Sequence, residues 1–315
     1  MCGADHLGPF IGFVGEELAE FGRCQRKRRA AQIGKARRDF GISEGRGDLA
    51  IELVDNGGRR IFWRAESEPV AGGWMAASGQ GSYLNKAVGL GFEAEPSADD
   101  VGRVERFFAS RGIEPRIELT AFASIGFLRT LAERGFVLQE FEHTLVLPVN
   151  DGLARLEERL PAGRPQGLRI APLDPADAAL VRTFVVTTAS GFLPAGASTP
   201  EIYLTTGTKA ATAPDHHGFL AFVGDQVVGA AGSSFRAGVM SLFGTSVLPA
   251  FRRRGIQQAL IAARLQRALS LGAELASITS HPGIPTERNA ARLGFQLAYV
   301  RAVMVKRGPG LVPSP

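Results

Sequence analysis

Apolar and polar positions along the chain fall into two alternating rhythms. Asp48 to Asp55 and Arg59 to Ala65 alternate apolar and polar residues on either side of Asn56-Gly57, which predicts a hairpin. A strand through Tyr83 to Leu90 is expected next. Ser97-Ala98-Asp99-Asp100 then reads as a helix start capped by Ser97, with Val101, Val104, Phe107 and Phe108 at helical spacing. Arg116 to Thr120 predicts a buried strand, Ser124 to Arg134 a short helix stopped by Gly135, and Phe136 to Leu147 one long strand or two.

The rhythm breaks after a polar helix over Asp151 to Leu160. Pro161-Ala162-Gly163-Arg164-Pro165-Gln166-Gly167 can continue neither a helix nor a strand. Two domains are therefore expected, 1–150 and 168–307, joined by a linker at 151–167, with a flexible tail at 308–315. The second opens with a strand at Leu168 to Ile170 and a helix after Asp174-Pro175. A hairpin from Phe219 to Val223 and Val227 to Ser233 turns at Gly224-Asp225. Val239 to Leu248 is a strand, and a helix runs from about Gly255 to Leu271 with Ile256, Ala259, Leu260 and Ala263 on one face. Leu275 to Thr279 is a strand, Thr286 to Leu293 a short helix, and Phe295 to Val305 paired strands. Phe127 to Val146 can be laid on Thr286 to Val305 without gaps, at an offset of 159 residues that takes Gly135 to Gly294 and Phe136 to Phe295. That correspondence suggests two copies of one α/β unit.

Composition narrows the class. The 315 residues are 45% hydrophobic and 21% charged, which suits globular cores rather than disorder. No apolar run reaches membrane-spanning length, and residues 1–22 lack a signal-peptide pattern, so no membrane partner and a cytoplasmic location are expected. Cys2 and Cys24 form neither a disulfide framework nor a metal pattern, and no metal site is expected. The net charge of +5 is clustered, with Arg23, Arg26, Lys27, Arg28, Arg29, Lys35, Arg37 and Arg38 in one helical stretch. Without interleaved aromatics that stretch reads as a solvated face before it reads as a nucleic-acid surface.

The stretch that points to chemistry is Val247-Leu248-Pro249-Ala250-Phe251-Arg252-Arg253-Arg254-Gly255-Ile256-Gln257-Gln258. A strand ends at a proline, a basic turn follows, and a glycine opens an amphipathic helix. Free N–H groups and the dipole at such a helix start favour an anion, and the arginines can fork onto phosphate oxygens. In the first half the matching place reads Gly91-Phe92-Glu93-Ala94-Glu95-Pro96, where acidic residues would repel phosphate.

Val247-x-Pro249 followed by Arg252-x-x-Gly255 resembles the signature of the GNAT superfamily of acyl-CoA N-acyltransferases, although Gln257 stands where the signature has glycine or alanine. Thr286-Glu287-Arg288-Asn289-Ala290-Ala291-Arg292-Leu293-Gly294-Phe295 is similar to that family's last helix and its Gly-Phe corner. The resemblance covers about 168–307. It implies a mixed, mostly antiparallel central sheet flanked by helices in each domain, the first a degenerate copy, and acetyl-CoA or another acyl-CoA as donor. The donor would meet the backbone at Thr245, Ser246 and Val247, the loop at Arg252, Arg253, Arg254 and Gly255, and Ile256, Gln257, Gln258 and Asn289. The acceptor would be a small-molecule or protein amine. The glutamate that many members carry on central strands is missing from Val239 to Leu248, and Ala290 stands where many place a tyrosine. His281, after the strand Leu275 to Thr279, and Tyr299 are the substitutes. A non-catalytic acyl-CoA sensor and a nucleic-acid-associated protein using residues 23–38 stay open as alternatives, as does a homodimer. His216 and His217 read as surface loop residues.

Overall fold

The computed structural model describes residues 49–54, 60–91, 95–121, 123–150, 166–194, 196–236 and 238–314. The basic stretch 23–38, both cysteines, the Asn56-Gly57 turn and the helix and linker expected over 151–165 lie outside the described residues.

The described chain is mixed α/β and mostly antiparallel. The first half supplies β1 (Leu49–Val54), β2 (Arg60–Val70), β3 (Gly73–Ala77), β4 (Lys86–Val88), α1 (Ala98–Ala109), β5 (Arg116–Thr120), α2 (Ile125–Glu133) and β6 (Val137–Pro148). The second supplies β7 (Leu168–Pro172), α3 (Ala178–Ala189), α4 (Glu201–Ala211), β8 (Phe219–Val223), β9 (Gln226–Arg236), β10 (Val239–Val247), α5 (Ile256–Ser270), β11 (Leu275–Ser280), α6 (Pro285–Arg292) and β12 (Gln296–Val305). All twelve strands join one sheet in the order β1-β2-β3-β4-β5-β12-β6-β11-β10-β9-β8-β7.

This order repeats the 159-residue offset in space. β5 corresponds to β11, α1 to α5, α2 to α6 and β6 to β12, and the order reads as a pseudo-two-fold with its axis between β12 and β6. The last strand of each half is exchanged. β12 pairs with β5, from Arg301 opposite Thr120 to Val305 opposite Arg116. β6 pairs with β11, from Leu275 opposite Pro148 to Ser280 opposite His143. β6 and β12 then pair antiparallel with each other, Arg301 facing Glu142.

Burial explains the alternation seen in the sequence. On β10, β11 and β6, Met240, Leu242, Ala276, Ile278, Leu145 and Leu147 share one apolar cluster with Ile261 and Leu265 of α5 and Ala290 and Leu293 of α6. The intervening residues therefore face the other way. On that side Val181, Phe184 and Val185 of α3 pack over Leu220 and Ala230. A second full cluster, including Val101, Val104, Phe107 and Phe108 of α1, forms the core of the first half.

Three expectations change. The strand expected from Tyr83 forms only at Lys86–Val88, because the preceding loop satisfies itself. The Ser78 N–H donates to Asn85 Oδ1 at 2.9 Å, and Asn85 Nδ2 donates to the Gly79 carbonyl at 2.7 Å. Phe295 to Val305 makes one bulged strand, not two. Helix α4 occupies part of the stretch from Gly191 to Thr208, which its Phe192, Leu193, Pro194 and Tyr203 lead one to expect as an apolar pocket loop. It begins at Pro200 without a side-chain cap and holds Thr205, Thr206, Gly207 and Thr208, all weak helix formers. Packing against α3 overrides propensity there: a methyl group on Gly207 would lie 2.7 Å from Val185.

Candidate active site

β10 parts from its neighbours in the middle of the sheet. Its parallel pairing with β11 runs from Val239 opposite Leu275 to Leu242 opposite Ile278 and goes no further. On its other side the register to β9 slips between Phe243 and Ser246, where β10 carries one residue more than its partner. Gly244 sits there at φ 57°, in the left-handed region that a glycine adopts without cost. Gly244 and Thr245 thus leave regular pairing on both sides, and Phe243 leaves it on the β11 side alone. Ser190, the C-cap of α3, backs this segment by a hydroxyl contact of 3.2 Å to Ser246, and Thr188 packs on Gly244.

Beyond Val247 the chain makes a short 3-10 turn at Pro249–Phe251 and then the basic loop. Arg252 Nε donates to the Val247 carbonyl at 3.0 Å, which ties the loop back to the strand end. Arg253 has φ 60°, and Gly255 φ 73°. Gly255 is the N-cap of α5 and brings no side-chain cap, and the first helical bond on the α5 side runs from Ala259 N–H to the Gly255 carbonyl. The N–H groups of Ile256, Gln257 and Gln258 therefore point out of the helix end, beside three exposed arginines. Arg254 leans toward the Phe251 ring at 5.5 Å.

The equivalent end of α1 is built oppositely. The Ser97 side chain accepts from Asp100 N–H, and Asp100 accepts from Ser97 N–H, a closed capping box with Asp99 alongside. The hydrogen bonds from Ser97 hold the Asp100 carboxyl below its usual range, so it is anionic at neutral pH. A phosphate would meet satisfied donors and negative charge there.

Side chains of α5 and α6 lock the two helix starts together. Gln257 Nε2 donates to Thr286 Oγ1 at 3.1 Å, Gln258 Nε2 donates to Asn289 Oδ1 at 3.1 Å, and Asn289 Nδ2 donates to Gln257 Oε1. Their side chains thus hold the loop's frame, while their backbone N–H groups stand at the open helix end. Glu287 continues this brace. It bonds His143 Nδ1 on β6 at 2.5 Å and accepts from the Gly283 N–H, and these bonds lower its pKa, His143 first.

On the α3 side of the sheet the floor of the parting is polar. Ser241 and Ser277 touch through their hydroxyls at 3.2 Å, and Ser277 and Thr279 are half-buried, while Ala276 and Ile278, which alternate with them, are buried. Thr279 lies opposite Thr144 of β6, and Thr144 opposite Tyr299 of β12. Tyr299, 9% exposed, is thus in the floor, two strands from β11. His281 follows β11, is 53% exposed in its side chain, and lies 3.6 Å from Glu140 of β6. His216 is not a free loop residue. Its ring stands edge-on to Phe184 at 5.5 Å and tilted to Phe243 at 5.8 Å, directly beneath the bulge.

The carboxylates missing from β10 arrive from elsewhere. Glu118 on β5 and Glu142 on β6 flank Arg301 of β12 at 2.5 Å each, and Lys86 joins Glu118 at 2.9 Å. The strand alternation marks these residues as facing a side of the sheet, but only the exchange of β6 and β12 sets Glu118 and Glu142 on the two strands that flank Arg301.

Residues 188–295 match the family model described as acetyltransferase (GNAT) family. No curated protein matches the chain in sequence. Among solved structures it is similar to a GCN5-related N-acetyltransferase from Kribbella flavida, at TM-score 0.58 and 19% identity over 78% of this chain and 91% of that one. A tandem GNAT protein from the clavulanic acid biosynthesis pathway matches at TM-score 0.54 and 14% identity over 81% of each chain. A GCN5-related N-acetyltransferase from Sphaerobacter thermophilus matches at TM-score 0.51 and 16% identity over 84% of this chain and 82% of that one. At these identities the likeness speaks for the fold. No described helix is long and apolar enough to cross a membrane.

Proposed function

We propose, from the GNAT acetyltransferase domain at residues 188–295, that the chain is a tandem N-acyltransferase moving an acyl group from acetyl-CoA, or another acyl-CoA, to an amine. The observation that carries this reading is the parting of β10 from β11 immediately ahead of an uncapped, arginine-flanked helix start. The N–H groups of residues 256–258 with Arg253 and Arg254 would take the pyrophosphate, and Arg252 would keep the loop folded. The parted segment at Thr245, Ser246 and Val247 would lie along the pantetheine arm and offer backbone N–H groups to the thioester oxygen.

The reaction is then a direct displacement. The amine nitrogen forms a bond to the thioester carbonyl carbon, the carbon–sulfur bond breaks, and the thiolate takes a proton. Holding a neutral amine against the thioester supplies much of the rate by orientation. His281 is the exposed titratable group at the end of β11 and is assigned the proton transfer, while Tyr299 completes the floor.

Calorimetric titration of CoA and acetyl-CoA into wild type and an R253A/R254A variant tests the site. Micromolar binding to wild type is expected, with a loss of about ten-fold or more in the variant, since each ten-fold is about 1.4 kcal/mol. A folded wild type that binds neither ligand would refute the reading. Binding without transfer to a broad amine panel would instead favour an acyl-CoA sensor.

A further inference from the structure

Arg264, in the middle of α5, is the largest fully buried side chain among the described residues, at 1% exposure. Among the described residues it has no carboxylate partner, and burial alone pushes its pKa down to about 9. A charge in such a place costs free energy, and apolar replacements of buried charges are frequently neutral or stabilising. Packing therefore does not explain an arginine here. Its hydrogen bonds do.

Arg264 Nε donates to the Leu260 carbonyl one turn earlier at 3.0 Å. Its Nη1 donates to the Gly232 carbonyl at 2.9 Å and to the Phe243 carbonyl at 3.4 Å. Gly232 and Phe243 are opposite one another, and they form the last regular pair of β9 and β10 before the register slips. The guanidinium thus reaches from the helix into the sheet at the bulge and takes up carbonyl groups at that break. A neutral apolar residue would leave those carbonyls to seek other donors, and closing the bulge is the direct way to find them.

The other half of the chain shows what happens without this need. The position equivalent to Arg264 at the 159-residue offset is Glu105, a half-buried residue on α1 that pairs with Arg134 and Lys306 at 3.1 Å each. At this helix position the half with the closed, acidic helix start has no inward-reaching arginine. The half with the open helix start and the parted strand has one.

We propose that Arg264 is a positioning residue for the acyl group: it holds the β10 bulge open so that the backbone at Gly244 and Thr245 presents its N–H groups to the thioester carbonyl. This rests on the acyl-CoA reading above and adds to it a role for a residue more than a turn away from the phosphate loop. Arg264 touches neither pyrophosphate nor substrate, so its loss should separate acyl recognition from CoA binding.

The test is the 13C resonance of the carbonyl in [1-13C]acetyl-CoA bound to the full chain, beside calorimetry with CoA. In wild type the bound carbonyl is expected downfield of the free thioester, as a hydrogen-bonded carbonyl is. In R264M the signal should return toward the free position, while CoA affinity stays within about three-fold of wild type. R264K, which keeps a charged donor, should lie between the two and serves as the folded variant if R264M unfolds. A wild-type carbonyl shift in folded R264M, or in folded R264Q, would overturn the proposal. So would a parallel loss of CoA affinity and carbonyl shift, which would make Arg264 part of the general scaffold. Failure of wild type to bind CoA at all would strike the parent reading instead, and is read separately.

Discussion

Acid should weaken this protein through His216. The ring is packed between Phe184 and Phe243, and its buried Nδ1 has no hydrogen-bond partner among the described residues. Burial, helped by the neighbouring His217, lowers its pKa from 6.5 to about 4. Between those two values the unfolded chain binds a proton that the folded chain does not, so stability rises with pH across that window and falls as pH drops. A difference of about 2.5 units is worth about 3 kcal/mol when the pH lies below both values, and about 2 kcal/mol of that is lost between pH 7 and pH 5. Urea unfolding of wild type and H216F at both pH values isolates the effect. Phenylalanine keeps the aromatic contacts and cannot titrate, and subtracting the two pH responses removes what Asp100 and Glu287 contribute. The wild type should lose about 2 kcal/mol more than H216F over that interval. Equal losses would show that the ring is protonated without cost in the folded state and would refute the reasoning. Because Phe243 adjoins the parted segment, the same protonation should disturb the proposed thioester site before the whole fold fails.

Two further outcomes follow from the layout of the chain. A fragment of residues 166–315 lacks β6 and leaves β11 with an open edge and β12 without either neighbour, so it should be insoluble or molten by near-ultraviolet circular dichroism; a folded monomer would contradict the exchange. Titration of CoA should saturate at one site per chain, because the capping box of Ser97 and Asp100 closes the helix start in the first half; two equivalent sites would contradict this.

Much of the site was legible because its chemistry is local. A strand end, a proline, three arginines and a glycine are contiguous, and a helix start exposes its N–H groups wherever it stands. The offset between the halves was legible for the same reason, since Gly135 and Gly294 both stop a short helix before a strand. What could not be read was the destination of β6 and β12. Alternation fixes which residues share a face, yet not which strand lies alongside, and so His143, Glu140 and Glu142 stayed invisible as neighbours of β11. Arg264 was hidden differently. It sits at a helical position where an apolar residue would be expected, and nothing in its surroundings along the chain reveals that it points inward. Helix α4 was missed because packing, not propensity, makes it.

The exchange also carries a prediction about charge. At a two-fold axis between identical chains, residues at equivalent positions face their own kind, so a charged residue there meets a like charge. Here both halves belong to one chain and have been free to diverge. Glu142 and Arg301 stand 159 residues apart, at equivalent positions of β6 and β12, and face each other across the pseudo-two-fold as an ion pair at 2.5 Å. Arg301 is 4% exposed and also holds Glu118, which Lys86 bonds as well. Cations and carboxylates thus alternate from Lys86 through Glu118 and Arg301 to Glu142. R301M would take the shared cation from the buried Glu118 and the half-buried Glu142, and breaking such a network from one side costs about 3–5 kcal/mol. The reversed pair, E142R with R301E, should recover only part of the loss, because Glu118 would then oppose a carboxylate at position 301. A double-mutant cycle by urea unfolding measures both terms. Full recovery would show that the pair is independent of Glu118, and an R301M cost below about 1 kcal/mol would show that these charges do not hold the exchanged strands in register.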